Sequence, residues 1–275
     1  MPYILYFGHV NIDVMLKVQS FGNIGESREV LSYERRLGGT AYNAYRSLLA
    51  LGVPAKVFSV IGPDVEGIDG YFVRDDRTPT CWLITDGKEQ MAYIYQGKWK
   101  DLGRMEVDMP VEEFEWFHFS TGNPEFYIKI AMRAKEKGKK ISFDPSQEIH
   151  YVYDEKTFME MQSLADLFFC NEKEYEKALN FAQDRLFEKI VIRTEGENGA
   201  SVFIPNQGWM HIETERVKVV DTTGAGDTFR AGFYAALYRG YGIMEAVKYG
   251  NLAAAKVVQS KNTFYTGTWN AINEK

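Results

Sequence analysis

Two cysteines, Cys81 and Cys170, are all that the 275 residues contain. They are too few and too far apart for a disulfide framework or a thiolate metal cluster, and a reducing cytoplasm suits them best. Also missing is any run of about 20 apolar residues able to cross a bilayer. The N-terminal YILYF is a strand-length run with neither a basic flank nor a small-residue cleavage site, so neither export nor a membrane partner is expected. A basic stripe is lacking too: the net charge is -6, and the densest basic run, RAKEKGKK at 133–140, reads as the polar end of a helix. Nucleic acid is therefore not an expected partner. No G-x-x-x-x-G-K-[ST] occurs, so ATP, if used, is not held by a P-loop. No repeat, low-complexity tract or Pro/Ser-rich linker breaks the chain, and residues 1–275 are read as one domain.

What is present is the balance of a soluble globular protein, with 45% hydrophobic and 25% charged residues. Short β-rich runs alternate with helical stretches. YILYFGHV leads to a helix from about Ala41 to Leu51 that stops at Gly52, and AKVFSVIG follows. WFHFS, KKISFD, ADLFFC, KIVIRT and VKVVD are further strand-like runs, most of them separated by patterns such as EFYIKIAMRAKEKG. This alternation predicts a mostly parallel sheet wrapped by helices. Two segments depart from it, the stretch after Asp13 and the one around Asp86-Gly87. Each reads as a hairpin, placing inserted strands at about 13–37 and 78–97 that serve as a lid or a dimer edge.

The stretch DTTGAGDTFRAGF, residues 221–233, concentrates chemistry. RVKVVD before it reads as a strand, and Phe229, Phe233, Leu237 and Tyr241 give a helical stripe after it, so Asp221 to Asp227 is a strand-to-helix turn. The first amides of a helix lack partners within it, and Gly224 and Gly226 let a ligand approach the backbone. Such a turn favours a phosphate or a developing oxyanion. A carboxylate at the same point would repel that anion, so Asp227 is better explained as a base for a hydroxyl attacking the anion's phosphorus. A dinucleotide fingerprint fails, because Phe229 stands where its last glycine belongs.

DTTGAGDTFRAGF resembles, almost position for position, the C-terminal signature of the pfkB/ribokinase family of carbohydrate and nucleoside kinases. GHVNIDV, LGGTAYNAYRSLLALG, NEKE at 171–174 and VIRTEGENGASVF resemble further motifs of that family, so the likeness spans most of the chain. It implies a ribokinase-like three-layer α/β sandwich with a small β-hairpin lid, and transfer of the γ-phosphoryl of ATP to a primary hydroxyl of a nucleoside or sugar. By this resemblance Asp227 is the base, and the amides of Gly224, Ala225 and Gly226 hold the phosphoryl group. Asp13, Asn11, Gly38, Gly39 and Asn43 bind the sugar. Asn171 and Glu174 lie near the phosphates and Mg2+, Glu174 through water, since Mg2+ gives up its waters reluctantly. Thr194, Gly196, Gly199, Thr222 and Asn251 line the nucleotide side. Asp221 and Thr223 lie where some relatives bind a monovalent cation.

ITDGKEQMAYIYQG and FDPSQ are similar to segments of the family's nucleoside and adenosine kinases, which tilts the expected substrate from ribose or another simple sugar toward a nucleoside. Three departures stand out. GPDVEGIDGYFVRDDRTPT is too short for the helix and following turn usual there; Lys98 and Trp99 replace small residues; and Arg230, three residues past Asp227, is charged where relatives carry a small or apolar residue. Arg230 could meet a substrate phosphate or reach solvent, and Asp144 could be a strand-end structural residue. The competing expectation is a catalytically silent ligand-binding protein on the same fold.

Overall fold

The computed structural model describes residues 2–273. The strands are β1 (Ile4–Phe7), β2 (Asn11–Val18), β3 (Val30–Gly38), β4 (Ala55–Ile61), β5 (Gly70–Arg74), β6 (Thr80–Thr85), β7 (Gln90–Tyr95), β8 (Trp116–Phe119), β9 (Lys140–Phe143), β10 (Leu167–Asn171), β11 (Ile190–Thr194), β12 (Ala200–Ile204) and β13 (Gly208–Ile212). The helices are α1 (Thr40–Ala50), α2 (Pro124–Glu136), α3 (Glu155–Leu164), α4 (Glu172–Ala182), α5 (Ala225–Tyr238) and α6 (Ile243–Val257). Among the described residues, nine strands form one sheet in the order β13-β12-β11-β10-β9-β8-β1-β4-β5. It is parallel from β5 to β11, and β12 and β13 run antiparallel at one edge.

Strand β1 shows why the apolar runs read as they did. Its side chains alternate between two cores: Ile4 and Tyr6 pack under α1, α5 and α6, while Leu5 and Phe7 pack under α2, α3 and α4. A strand covered on both faces must be apolar throughout, which makes it a continuous run. Burying each such side chain contributes about 1.5–3 kcal/mol. The result is three layers with the carboxyl ends of β1, β8, β9, β10 and β11 on one rim, where β10 ends at Asn171 and the other four are followed by His9, Thr121, Asp144 and Glu195. In open α/β sheets that rim is where ligands bind.

A second sheet of four strands, in the order β3-β2-β6-β7, stands apart from the large one. Its β2 and β3 pair antiparallel from Asn11 opposite Gly38 to Val18 opposite Val30, and β6 and β7 close a hairpin around Asp86-Gly87, with Gly87 at φ 90°. Both expected hairpins are therefore present, and they join through a parallel β2–β6 pairing.

One expectation on the chain needs correction, and another holds with an addition. Residues 216–221 form no strand: Val220 and Asp221 donate backbone hydrogen bonds to the Val258 carbonyl past the end of α6, and no sheet edge lies beside them. Residues 62–80 are indeed too short for a helix, yet β5 still pairs parallel to β4. A parallel connection commonly takes about a dozen residues or more, often with a helix. Here loop 62–69 does it, and Asp64 ties it to the small sheet through Arg35 at 2.6 Å and through Thr78. No helix among the described residues is long and apolar enough to cross a membrane.

Candidate active site

Helix α5 begins at a turn that only glycine can make. Gly224 sits at φ 76°, in the left-handed region, and a Cβ there would fall on the Thr263 carbonyl. No side chain caps this helix. The Ala225 amide turns back to the Thr222 carbonyl at 3.2 Å, so of the amides expected to meet an anion this one is already engaged. Asp227 lies in the first turn, and Asn43 Nδ2 of α1 donates to its Oδ2 at 2.9 Å. Burial pushes the Asp227 carboxyl up to about 7; the Asn43 bond and the Arg230 guanidinium pull it down, and Asp144 and Asp13 add to the rise. A carboxyl poised near neutrality suits a general base.

On the other side of Asn43 lie the residues expected to hold a sugar. Asp13 and Asn11 are buried near the start of β2, and Asn11 Nδ2 donates to Asp13 Oδ1 at 2.5 Å. Burial raises the Asp13 carboxyl, opposed by that bond and by Arg36, its cross-strand neighbour. The two glycines make room: a Cβ on Gly38 would fall on the Asp13 carboxylate, and one on Gly39 (φ 97°) on Asn11 Oδ1 and the His9 carbonyl. Sequence reasoning missed the support behind them. Thr121 Oγ1 lies 2.7 Å from both His9 Nδ1 and Thr40 Oγ1. Glu148, buried and pushed up to about 8 by desolvation, accepts from the Gly122 amide at 2.5 Å and from Gln96 at 3.0 Å. These residues stand singly at 9, 40, 96, 121 and 148, and such scattered positions carry no pairing information.

Between the base and the strand ends is a cavity of about 520 Å³, bordered by Asp227, Gly226, Arg230, Asp144, Asn171 and Glu174. Asn171 and Glu174 cap α4 reciprocally: Asn171 Oδ1 accepts from the Glu174 amide at 2.9 Å, and Glu174 Oε2 from the Asn171 amide at 2.8 Å. One oxygen of each group is thus spent on the fold. Arg230, expected at solvent or at a phosphate, is buried and grips Asp144 through Nε at 2.5 Å and Nη2 at 2.9 Å. Burial alone would raise the Asp144 carboxyl, but Arg230 and then His118 outweigh it and hold it below the usual carboxylate range. Burial lowers the His118 imidazole against the opposing pull of Asp144, and its Nδ1 lies 2.8 Å from Tyr234 Oη.

A second cavity of about 250 Å³ shares Thr194, Gly196 and Gly226 with the first and is also lined by Gly199, Thr222 and Asn251. Val217 and Val219, from the segment misread as a strand, form part of its wall. The Asn251 amide nitrogen is committed to the Ile212 and Glu213 carbonyls at 3.0 and 3.3 Å, leaving its oxygen for any ligand. Gly199 is glycine for packing, since a Cβ would fall on the Ile212 carbonyl. Asp221 Oδ1 accepts from the Thr223 amide at 2.8 Å and hydroxyl at 2.7 Å. No cluster of three His, Cys, Asp or Glu able to hold a metal occurs among the described residues.

Comparison with known proteins agrees with this geometry. A nucleoside kinase of Thermoplasma acidophilum is 34% identical over 94% of this chain and 90% of its own length. An ATP-dependent ribose-1-phosphate kinase of Halopiger xanaduensis is 27% identical over 92% of this chain and 90% of its own. The crystal structure of Methanocaldococcus jannaschii nucleoside kinase superposes with a TM-score of 0.89 at 27% identity, over 100% of this chain and 97% of that one. The family model for pfkB carbohydrate kinases matches residues 1–269. The chain therefore belongs to the pfkB family of carbohydrate kinases, phosphotransferases with an alcohol group as acceptor.

Proposed function

We propose that this kinase moves the γ-phosphoryl group of ATP onto the primary hydroxyl of a nucleoside. The observation that carries the reading is the place of Asp227, on the wall of the 520 Å³ cavity, which adjoins the second cavity at Gly226, and within electrostatic reach of Asp13, with Asn43 bonded to it from α1. In this scheme Asp13 and Asn11 accept and donate hydrogen bonds to the ribose hydroxyls, and Gly38 and Gly39 let the sugar lie on the backbone. Asp227 takes the hydroxyl proton as the oxygen attacks phosphorus, and the Gly226 amide and the first turn of α5 stabilise the transferring group. Thr194, Gly196, Thr222 and Asn251 hold the nucleotide.

Mg2+ fits the free Glu174 oxygen through water rather than a protein cage, because the described residues offer no ligand cluster. Bound there, it would supply positive charge to offset that of the phosphates. Asp221 and Thr223 border the place proposed for a monovalent cation. Exposed Tyr33, Met91 and Tyr93 on the lid sheet support pairing of two copies, which size-exclusion chromatography tests.

A second reading has its own observation. Arg36 lies opposite Asp13 with its Nε buried and without a hydrogen bond, which favours an acceptor bearing an anionic group, such as a sugar phosphate. The test is turnover of ATP and Mg2+ with a panel of nucleosides, ribose and ribose 1-phosphate, with Asp227→Asn alongside. Preferred turnover of nucleosides, reduced by about 10²–10⁴ in the variant, supports the proposal. Preference for a sugar or its phosphate moves the substrate assignment, and an active variant refutes the base.

A further inference from the structure

Resting on the phosphoryl-transfer reading, we propose that Arg230 is a further catalytic residue, whose Nη1 binds the γ-phosphoryl group during transfer. The argument starts from what its burial requires. A guanidinium 6% exposed is costly unless paired, and Asp144 pairs it through two parallel bonds. Those bonds use Nε and Nη2 and fix the plane of the group. The remaining nitrogen is directed elsewhere: a Cβ on Gly226 would stand 2.5 Å from Nη1. Nη1 therefore reaches back along α5 to its first turn, beside Gly226, which with Asp227 lines the cavity.

Gly226 itself supports this placement. Its φ lies outside the left-handed range, so the backbone does not demand glycine there, and glycine inside a helix is about 1 kcal/mol worse than alanine. What glycine provides is the space that Nη1 fills. Charge points the same way. Asp144, Glu172, Glu174 and Asp227 border the cavity, and among the described residues lining it the cations are Lys173 and Arg230. Lys173 is exposed at the start of α4, whereas Arg230 is held in one orientation.

The chemistry balances without another reagent. The acceptor oxygen–phosphorus bond forms as the phosphorus–oxygen bond to ADP breaks, and the hydroxyl proton passes to Asp227. The charge carried by the equatorial oxygens of the group in flight is met by the Nη1 hydrogens. A fixed donor of this kind is commonly worth about 10²–10³ in kcat.

A purely structural ion pair makes the opposite prediction, so the test removes both charges together. Arg230→Met combined with Asp144→Asn leaves no unpaired buried charge; wild type, this double variant and Arg230→Lys would be assayed with ATP, Mg2+ and the best acceptor of the panel. The expected result is a double variant with native circular dichroism and near-native affinities for ATP and acceptor by calorimetry, but with kcat lowered about 10²-fold or more. Arg230→Lys should also be slow, because an ammonium paired with Asp144 has no third nitrogen to offer. Wild-type kcat in the double variant, or in Arg230→Lys should the double variant not fold, overturns the proposal alone. A wild type inert toward every acceptor overturns the kinase reading and this proposal with it.

Discussion

Weakening the hydrogen bond between Asn43 and Asp227 should move the pH dependence of the kinase, and the structure sets how far. The Asp227 carboxyl is pushed up to about 7 chiefly by burial, and the Asn43 bond at 2.9 Å opposes that rise. A base must be ionised to act, so turnover should climb through neutrality, with about a tenth of the enzyme competent at pH 6 and about nine tenths at pH 8. A hydrogen bond to a charged group contributes about 1.5–3 kcal/mol, and one pKa unit corresponds to about 1.4 kcal/mol. Asn43→Leu should therefore displace the alkaline-rising limb upward by about one to two units. The assay is kcat and kcat/KM for the best acceptor from pH 5 to about 9.5, in buffers of constant ionic strength. Because Asn43 is also proposed to bind the acceptor, the position of the limb, and not its height, is the quantity that decides. A wild-type limb in the ordinary carboxylate range, or one that Asn43→Leu leaves in place, would refute the reasoning.

The same carboxyl predicts a stability effect of definite sign. Its pKa is higher folded, about 7, than the ordinary 3.8, so wild type loses stability as pH rises from about 4 to about 7. Asp227→Asn should melt above wild type at pH 8, by on the order of a few degrees, with the gap closing toward pH 4; a gap independent of pH refutes this. Gly224→Ala places a side chain at φ 76° and against the Thr263 carbonyl, and the backbone alone should cost about 1–2 kcal/mol in urea unfolding. An unchanged midpoint would count against that turn geometry. Tyr234→Phe removes a hydroxyl that donates to Ser142 Oγ at 2.6 Å and lies 2.8 Å from His118 Nδ1, so a loss of about 1–3 kcal/mol is expected, and a loss below about 0.5 would show those partners satisfied otherwise.

The parallel strands were legible because strands buried on both faces leave continuous apolar runs, as in YILYF and KIVIRT. The start of α5 was legible because its left-handed turn demands a glycine and its helix a stripe. RVKVVD misled for a specific reason. Alternating valines and charges satisfy the pattern of a half-buried strand, but Val217 and Val219 face a cavity instead of a sheet neighbour. Nothing in the local sequence distinguishes the two. The Arg230–Asp144 pair lay beyond reach as well, because its members are 86 positions apart and meet only once β9 has packed under α5. The spacing Asn171-x-x-Glu174 carried two meanings, a helix cap and a phosphate-side pair. Its backbone bonds account for the first and leave one Glu174 oxygen for the second.

The small sheet is rooted where its chemistry is. Asp13 and Asn11 lie at its buried end, where Asn11 meets Gly38, and Gln96 just after β7 is bonded to Glu148 in the body. The side chains of β7 and of most of β3 are exposed toward the far end. A hinge motion of that far end would leave Asp13 and Asn11 in place. On the proposed reading, capture of the acceptor and exclusion of water would be separable in time: the sugar would be held first, and closure would need only to follow before the phosphoryl group leaves ADP.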